Sequence, residues 1–326
     1  MVVSAEHIDL KQWNDLLHQS STASWFQSPQ AYQFYQSVAD ELEPFCLGQI
    51  VNGHLKAVCV GYIVGNFFSA RAIIQGGLLL ADDIENNALE EFLNTIVNSL
   101  KNKAIYIELR NLNDYSSYKS VFQQCGFDYR QHLNYVQSTS TIKQDIDRNR
   151  RRNILKSELN GLQIEYEKSK ISLTDKYEFY DILLSLYRKE LKLPLFSRSF
   201  FLKLIDLSDA HFFITRYNGT IVGGELCVGL DGRTLYDWYG CGDNTLRSVH
   251  PSEYITFKAI VWANTNGFSH FDFMGAGTPE QPYGVRDFKA RFGGQLVEYG
   301  RFIYVCSPLR YQVGRIGVKM LRLFGK

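Results

Sequence analysis

The feature that most constrains the fold of this chain is an internal duplication. Asn52-Gly53 lies between two apolar runs, and Asn218-Gly219 repeats that arrangement 166 residues later. An Asn-Gly pair between apolar runs predicts a β-hairpin, because both residues tolerate a positive φ. At the same spacing, the apolar run at Ile105–Glu108 corresponds to the run at Phe271–Met274. Several elements repeated at one spacing predict two copies of a single α/β unit.

The size and composition of the chain agree with about two globular domains. Its 326 residues are 45% hydrophobic and 14% aromatic, which is enough to form large cores. A net charge of +1 gives no general signature of a polyanion partner. The six cysteines are scattered and have no metal-ligand spacing, so they predict buried thiols, a reducing compartment and no metal site. No secretory signal or membrane-spanning run is recognisable, which predicts a cytoplasmic protein.

The order of apolar patterns predicts an α/β (α+β) protein with mixed central sheets flanked by helices. We predict a first unit over residues 1–140, which closes with one strand near 127–138. A second unit over residues 141–306 opens with a basic helix that ends at Gly161. We further predict that residues 307–326 form a basic amphipathic C-terminal helix. The pattern at 310–326 suits peripheral contact with the inner face of a membrane, and equally a helix docked on the protein itself.

Residues 268–294 carry the densest group of candidate site residues. The pattern predicts a short buried strand, a Gly/Pro-rich loop and a short helix that ends at Gly293. Asp272 lies in the strand, Tyr283 in the loop, and Arg286 and Lys289 in the helix. Because α/β proteins build sites at strand ends and in the loops that follow, these residues are candidates for chemistry, and Tyr283 and Arg286 are candidates for binding the substrate. The alternative is a loop that only connects the strand to the helix.

An aromatic strand precedes this stretch. Strict alternation along RTLYDWYG places Tyr236 and Trp238 on one face of the strand, and Asp237 and Tyr239 on the other. One of these pairs could line a cleft for an acceptor substrate. Packing in the core is the other use of such aromatic residues.

Four segments together resemble a known family. They are the basic helix RRNILKSELNGLQIEY, the loop LPLFSRSFF, the hairpin with YNGTIVGG, and FDFMG…YGVRDFKARFGG. They look like the FemAB/FemX-type transferases, which are tandem GNAT-like (Gcn5-related acyltransferase) proteins. The Phe-Lys-x-x-Phe-Gly motif in the second unit is the most specific part, and the resemblance runs over most of the chain. It implies two tandem GNAT-like units, and the absence of sustained heptads indicates the type without a coiled-coil arm.

The resemblance also implies a reaction. It predicts an acyltransferase or aminoacyltransferase (EC 2.3) that moves an activated acyl group onto an amine of a cell-envelope precursor, which is a peptidoglycan, a polysaccharide or a lipid. The donor would be aminoacyl-tRNA or another activated acyl compound, with no metal or other cofactor. Lys289 matches the lysine of the family motif and would stabilise the oxyanion, while Asp272 would accept a proton or orient Lys289. By position alone, Lys289 is a solvated helix charge and Asp272 a capped or salt-bridged strand acid.

Two further groups of cations are candidates for binding phosphate. Arg198 lies where the family places an arginine that binds substrate phosphate. Arg150, Arg151 and Arg152 crowd one helix and could contact the phosphates of charged tRNA; the alternative is a solvated helix between the units.

Two other functions stay open at this stage. The interval between residues 240 and 253 lacks the Gly-rich loop with which acyl-CoA enzymes of this fold hold pyrophosphate. An acyl-CoA-dependent N-acyltransferase would therefore need a divergent donor site. A binding protein that keeps the fold without catalysis is the remaining alternative.

Overall fold

The structure, a computed structural model, describes residues 1–66 and 68–315. The strands are β1 (Val2–Ser4), β2 (Glu43–Val51), β3 (His54–Val64), β4 (Arg71–Gly76), β5 (Leu79–Leu80), β6 (Tyr106–Asn111), β7 (Asp128–Arg130), β8 (Leu133–Ser138), β9 (Gln163–Glu165), β10 (Ala210–Tyr217), β11 (Thr220–Leu230), β12 (Thr234–Gly242), β13 (His270–Gly275), β14 (Gln295–Glu298) and β15 (Arg301–Val305). The α-helices are α1 (Leu10–Gln19), α2 (Pro29–Ser37), α3 (Asn86–Leu100), α4 (Lys119–Gln124), α5 (Ile142–Asp145), α6 (Arg148–Leu159), α7 (Leu173–Leu186), α8 (Arg198–Ile205), α9 (Pro251–Thr265) and α10 (Gly284–Ala290).

The chain forms two compact units, and each is built on one mixed sheet. The first sheet has the order β1-β2-β3-β4-β6-β15-β7, with β5 paired to β3. The second has the order β9-β10-β11-β12-β13-β8-β14. In each sheet an antiparallel meander leads into one parallel pair, β4 with β6 and β12 with β13. The same order in both sheets confirms the predicted fold class and its duplication.

The two units exchange one strand each. β8 follows β7 in the chain but joins the second sheet beside β13, and β15 follows β14 but joins the first sheet beside β6. The compact units are accordingly residues 1–132 with the segment from Glu298 onward, and residues 133–297. These bounds differ from the predicted ranges of 1–140 and 141–306. The single strand predicted near 127–138 is in fact two strands, one in each sheet.

The two predicted hairpins are present. Asn52 and Asn218 both have φ of 51°, and each is followed by a glycine with φ near +80°. The turns join β2 to β3 and β10 to β11. The central strands β6 and β13 begin at Tyr106 and His270, so their spacing is two residues shorter than that of the hairpins.

A helix packs on each sheet between the strands of the parallel pair. In the first unit α3 buries Leu89, Phe92 and Ile96 against the sheet, and in the second α9 buries Ile255, Ala259 and Ile260. These two α-helices have 15 residues each, and α7 with the π-helical segment Tyr187–Leu191 forms a helical run over 173–191; no long coiled-coil arm is present in the described residues, as predicted. Within residues 1–66 and 68–315, no helix combines the length and apolarity that crossing a bilayer requires.

Two predicted helices have different bounds in the structure. The basic helix predicted over 141–161 is divided into α5 and α6, because Asp147 caps α6 by accepting hydrogen bonds from the backbone N–H groups of Asn149 and Arg150. Of the predicted C-terminal helix, residues 308–315 are helical, and the remainder lies outside the described residues.

Candidate active site

The candidate site lies where β12 and β13 stop pairing. The two strands are in parallel register only from Thr234↔His270 to Tyr236↔Asp272. Beyond that point β12 runs on to Gly242 beside β11, while β13 shifts its register against β8 after Asp272. Met274, in that irregular stretch, has a left-handed φ of 60°, which is a strained conformation for a residue with a side chain. Polar side chains of both strands are therefore placed around an interruption in the ladder.

Lys289 of α10 is buried at this interruption. Its ammonium group donates hydrogen bonds to the backbone carbonyl oxygens of Phe273 and Gly275, the second at 2.7 Å. Phe292, fully buried, packs against Phe273 and fixes the end of the helix in the core. The short helix thus directs a lysine inward onto the end of β13, so Lys289 is not the solvated helix charge that its position alone indicates.

A cluster of acidic and thiol groups faces the same place from β11 and β12. Glu225 and Cys227 alternate along β11 and so share one face, and Asp237 lies directly opposite Cys227 on β12. One ligand atom from each of the three side chains lies within 4.8 Å of the others. Thr256 of α9 donates a hydrogen bond of 2.7 Å to Glu225. The Oδ1 atom of Asp237 is buried and has no hydrogen-bond partner among the described residues.

A β-bulge determines which side chains of β12 join this cluster. The register between β11 and β12 shifts after Leu226↔Tyr239, so that Trp238 is the extra residue opposite no partner. The predicted strict alternation is therefore wrong beyond Asp237. Tyr239 is removed from the face of Asp237 and packs on Phe201 of α8 at 4.7 Å between ring centroids, and Trp238 lies over Tyr239. Tyr236 is buried.

Burial shifts the protonation of every member of the cluster. It raises the pKa of Asp272 to about 7 and that of Asp237 to about 6, although the charge of Lys289 opposes both shifts. Burial also raises the pKa of Glu225 well above its usual value. The pKa of Lys289 is lowered by burial, against the opposing effect of the three carboxylates. Near neutral pH, Asp237 is therefore mostly ionised and Asp272 titrates, while burial favours the protonated form of Glu225.

The donor set of Glu225, Cys227 and Asp237 could also hold a divalent metal ion. Lys289 already places a positive charge close enough to influence the titration of both carboxylates. The absence of a metal remains a prediction from the sequence, and no step below depends on a metal.

Asp272, the other predicted catalytic residue, is buried beside Lys289. It accepts a hydrogen bond from the backbone N–H of Met274. Its charge opposes the lowering of the pKa of Lys289 by burial. Asp272 therefore helps to hold both the irregular strand end and the lysine. Its role in catalysis remains a proposal.

Arg286 and Tyr283 organise the loop before α10. Arg286 donates hydrogen bonds to the carbonyl oxygens of Thr278, at 2.9 Å, and of Gln281. Tyr283 precedes α10 and is partly exposed, and its ring covers Gly277 so closely that a Cβ there would lie 3.0 Å away. Both side chains are thus engaged in loop structure, and their predicted contact with substrate stays a prediction.

The three arginines of α6 do not act together. Arg150 is buried between the rings of Phe288 and Phe292, at 4.5 and 4.6 Å from their centroids. It also donates to the carbonyl oxygen of Phe288. A phosphate cannot reach this guanidinium group, so the predicted tRNA contact is wrong for Arg150. Arg151 and Arg152 are exposed, and for them the prediction remains open.

Arg198 is bound within the second unit. It forms an ion pair of 2.7 Å with Asp181, and its guanidinium group lies over the rings of Tyr177 and Tyr180. Its side chain is still partly exposed. Phosphate binding by Arg198 therefore requires a ligand that competes with Asp181, and it remains a proposal.

Sequence reasoning missed Glu225, Cys227 and Thr256, and it named Asp237 only as a residue that could line a cleft together with Tyr239. The signal for the first two was the alternation in GGELCV, an acid and a thiol on one face of a strand otherwise made of small and apolar residues. The positions of Asp237 and Thr256 depend on cross-strand register and helix packing, which local sequence does not specify.

Comparison with known proteins agrees with this geometry. The family model described as an acetyltransferase (GNAT) domain matches residues 142–289, a range that ends at Lys289. Residues 142–289 of the second unit are therefore similar to this family. This match also confirms the predicted acyltransferase enzyme, and it makes a binding protein without catalysis the weaker alternative. No curated protein sequence matches the chain.

Solved structures similar to the chain share its tandem GNAT fold. FemX superposes with a TM-score of 0.73 and 13% identity, over 96% of this chain and 99% of FemX. L-PGS from Bacillus licheniformis superposes with a TM-score of 0.60 and 12% identity, over 96% of each chain. A tandem GNAT protein from the clavulanic acid biosynthesis pathway gives 0.61 and 8% identity, over 94% of this chain and 99% of that one. At these identities the likeness establishes the FemX-like fold.

Proposed function

We propose that the GNAT-family domain of this protein forms an amide bond by transferring an aminoacyl or acyl group to a primary amine of a cell-envelope precursor. The observation that carries the proposal is the burial of Lys289 at the end of β13, among Asp237, Asp272 and Glu225. A buried cation that several carboxylates face, at an interruption in a sheet, has the properties of a group that stabilises developing negative charge.

The bond changes assign a role to each group. The amine nitrogen attacks the carbonyl carbon of the activated donor, and a C–N bond forms while the carbonyl oxygen becomes negative. Lys289 stabilises that oxyanion with its ammonium group. The C–O or C–S bond to the donor then breaks, and the leaving group departs with its electron pair.

The attacking amine must also lose a proton. Asp237 is suited to accept it, because its Oδ1 atom is unpaired and burial raises its pKa to about 6. Burial favours the protonated form of Glu225, which reduces the negative charge beside Asp237. Asp272 is engaged with the backbone N–H of Met274 and holds Lys289 in its charged form.

Support for an aminoacyl donor comes from the FemX-type motif that ends at Gly293 and from the fold shared with FemX. The cell-envelope acceptor follows from the same resemblance. An acyl-CoA donor is the second candidate, favoured by the acetyltransferase description of the matched domain. Against it, β12 is followed by a short helical segment and by His250 in a left-handed conformation before Pro251 begins α9, with no Gly-rich loop at the helix start.

A paired titration tests the donor. Aminoacylated tRNA, uncharged tRNA and acetyl-CoA are each titrated against the wild-type protein and against Lys289→Met. We expect the wild type to bind aminoacylated tRNA more tightly than uncharged tRNA. Saturable binding of acetyl-CoA alone would select the second candidate. Binding of none of the three would reject both donors.

A further inference from the structure

Helix α6 has two faces of opposite character. Arg150, Ile154 and Ser157 form its buried face. Ser157 donates a hydrogen bond of 2.8 Å to the carbonyl oxygen of Val249, and Asn153 donates one of 3.0 Å to Glu253 of α9. These contacts fix the rotation of the helix, so the residues of the opposite face are held in solvent.

The outer face carries a stripe of two arginines and two leucines that does not pack against the core. Arg148, Arg152, Leu155 and Leu159 recur at i, i+4, i+7 and i+11, which places them in one line along the helix. Leu155 is 53% exposed and Leu159 is 88% exposed. Two neighbouring leucine side chains exposed to water are unfavourable, so they indicate a surface that binds an apolar partner.

Cations surround these leucines. Arg151 and Lys156 are exposed on the two flanks of the stripe. Arg148, Arg152 and Lys156 form no ion pair with any residue in the described part of the chain. Glu158 is the only acid within α6, and its carboxylate is paired with Lys258 at 2.6 Å. The outer face is therefore strongly cationic around a small apolar centre.

We propose that the outer face of α6 docks on an anionic lipid surface, with Leu155 and Leu159 in the interfacial region and the surrounding cations against lipid phosphates. Charge complementarity selects an anionic partner. The leucines distinguish lipid from nucleic acid, because RNA would engage the cations and leave both leucines in water, whereas a membrane interface accepts both kinds of group.

The buried face links this surface to the candidate site. Arg150 holds the carbonyl oxygen of Phe288, next to Lys289 in α10. A lipid surface on the outer face of α6 would therefore lie at a fixed distance from the helix that carries Lys289. The docking inference does not depend on the proposed reaction, but it is consistent with an acceptor carried on a lipid.

Vesicle flotation of the full chain tests the inference. Vesicles of phosphatidylcholine are compared with vesicles that also contain phosphatidylglycerol. We expect the wild type to float with the anionic vesicles only. The double variant Leu155→Ser/Leu159→Ser should bind them at least about tenfold more weakly, and so should Arg148→Gln/Arg152→Gln. The matched control is Leu10→Ser/Leu173→Ser, which replaces two leucines exposed to 57% and 56% on other helices and should float as the wild type does.

Three results would overturn the inference. The first is a wild type that does not float with anionic vesicles. The second is a Leu155→Ser/Leu159→Ser variant that floats like the wild type while circular dichroism shows both to be folded. The third is an Arg148→Gln/Arg152→Gln variant that loses affinity for tRNA and keeps its affinity for vesicles, which would assign the surface to RNA.

Discussion

The two units carry an acid at the same place in their sheets, and its surroundings differ sharply. Glu108 and Asp272 are each the third residue of the central strand, opposite Ile73 and Tyr236. Burial acts to raise the pKa of Glu108, but ion pairs with Arg110 at 3.0 Å and Arg301 at 2.6 Å outweigh it and lower the pKa to about 2. For Asp272, burial dominates and raises the pKa to about 7.

The difference separates Glu108, whose ion pairs stabilise the fold, from Asp272, which lies in the candidate active site. In the first unit one carboxylate has two arginines, whereas in the second Asp237, Asp272 and Glu225 share Lys289. At the spacing of the duplication, Gln123, an exposed residue, stands where the second unit has Lys289. The second unit therefore keeps an electrostatic arrangement that does not favour stability, as is common at sites where charge and protons move.

The largest effect should come from Lys289→Met. Removal of the cation leaves the oxyanion unstabilised, and we expect kcat for acyl transfer to fall by about a thousandfold. Lys203→Met, which replaces an exposed lysine of α8, is the control and should keep wild-type kcat. A Lys289→Met enzyme with near-normal kcat would remove the lysine from the mechanism.

Glu108→Gln should have the next largest effect, on stability. The change leaves the partly buried Arg110 and Arg301 without their partner, and we expect the free energy of unfolding in urea to fall by about 3 kcal/mol. Asp272→Asn, the matched substitution in the second unit, should leave stability unchanged or raise it at pH 8. Equal losses in the two variants would abolish the distinction between the units.

Asp237→Asn should lower the rate without lowering stability. Transfer of the amine proton needs an ionised carboxylate, so the wild-type rate should rise as pH increases through about 6. In Asp237→Asn we expect kcat to fall by about a hundredfold and this rise to disappear. Glu225→Gln serves as the comparison, because burial favours the protonated form of Glu225 and the pH profile of this variant should keep the rise. An unchanged profile in Asp237→Asn would assign the proton to another group.

The smallest expected effect is on the pH dependence of stability, which should have opposite signs in the two units. The raised pKa values of Asp237 and Asp272 mean that the folded state binds more protons than the unfolded state, so stability should decline as pH rises from 4 through about 7. Glu108, whose pKa is lowered, stabilises the fold above its ordinary range and loses that contribution as pH falls towards about 2. Melting temperatures measured against pH should therefore flatten above pH 4 in Asp237→Asn/Asp272→Asn, and below pH 4 in Glu108→Gln. A curve that flattens below pH 4 in Asp237→Asn/Asp272→Asn and above pH 4 in Glu108→Gln would contradict these pKa shifts.

The sequence predicted those features of the fold that depend on residues adjacent along the chain. The Asn-Gly turns follow from their backbone preferences. For Lys289, position alone indicates a solvated helix charge, and only its match to the family motif made it a candidate site residue. What the sequence could not predict depends on contacts across strands. The bulge at Trp238 and the pairing of Asp237 with Cys227 are set by the register of β12, which no local pattern specifies.

The arginines of α6 are a contrasting case, in which the sequence contained the information that separates them. Arg150, Arg151 and Arg152 are identical as letters, but Ile154 and Ser157 define which face of the helix is buried. That periodicity assigns Arg150 to the inside, and it was available in the sequence. The exchange of β8 and β15 was not, because a strand carries no local mark of the sheet that it joins.

The strand exchange also sets the order in which the protein can be completed during synthesis. The first sheet has its other strands by Arg130, but β15 lies beyond every strand of the second sheet. Until residues 301–305 leave the ribosome, β6 and β7 must keep unpaired edges that are open to wrong partners. The second unit, which already has β8, can close earlier. The sheet of the unit that is made first therefore receives its last strand only after every strand of the second sheet has been made.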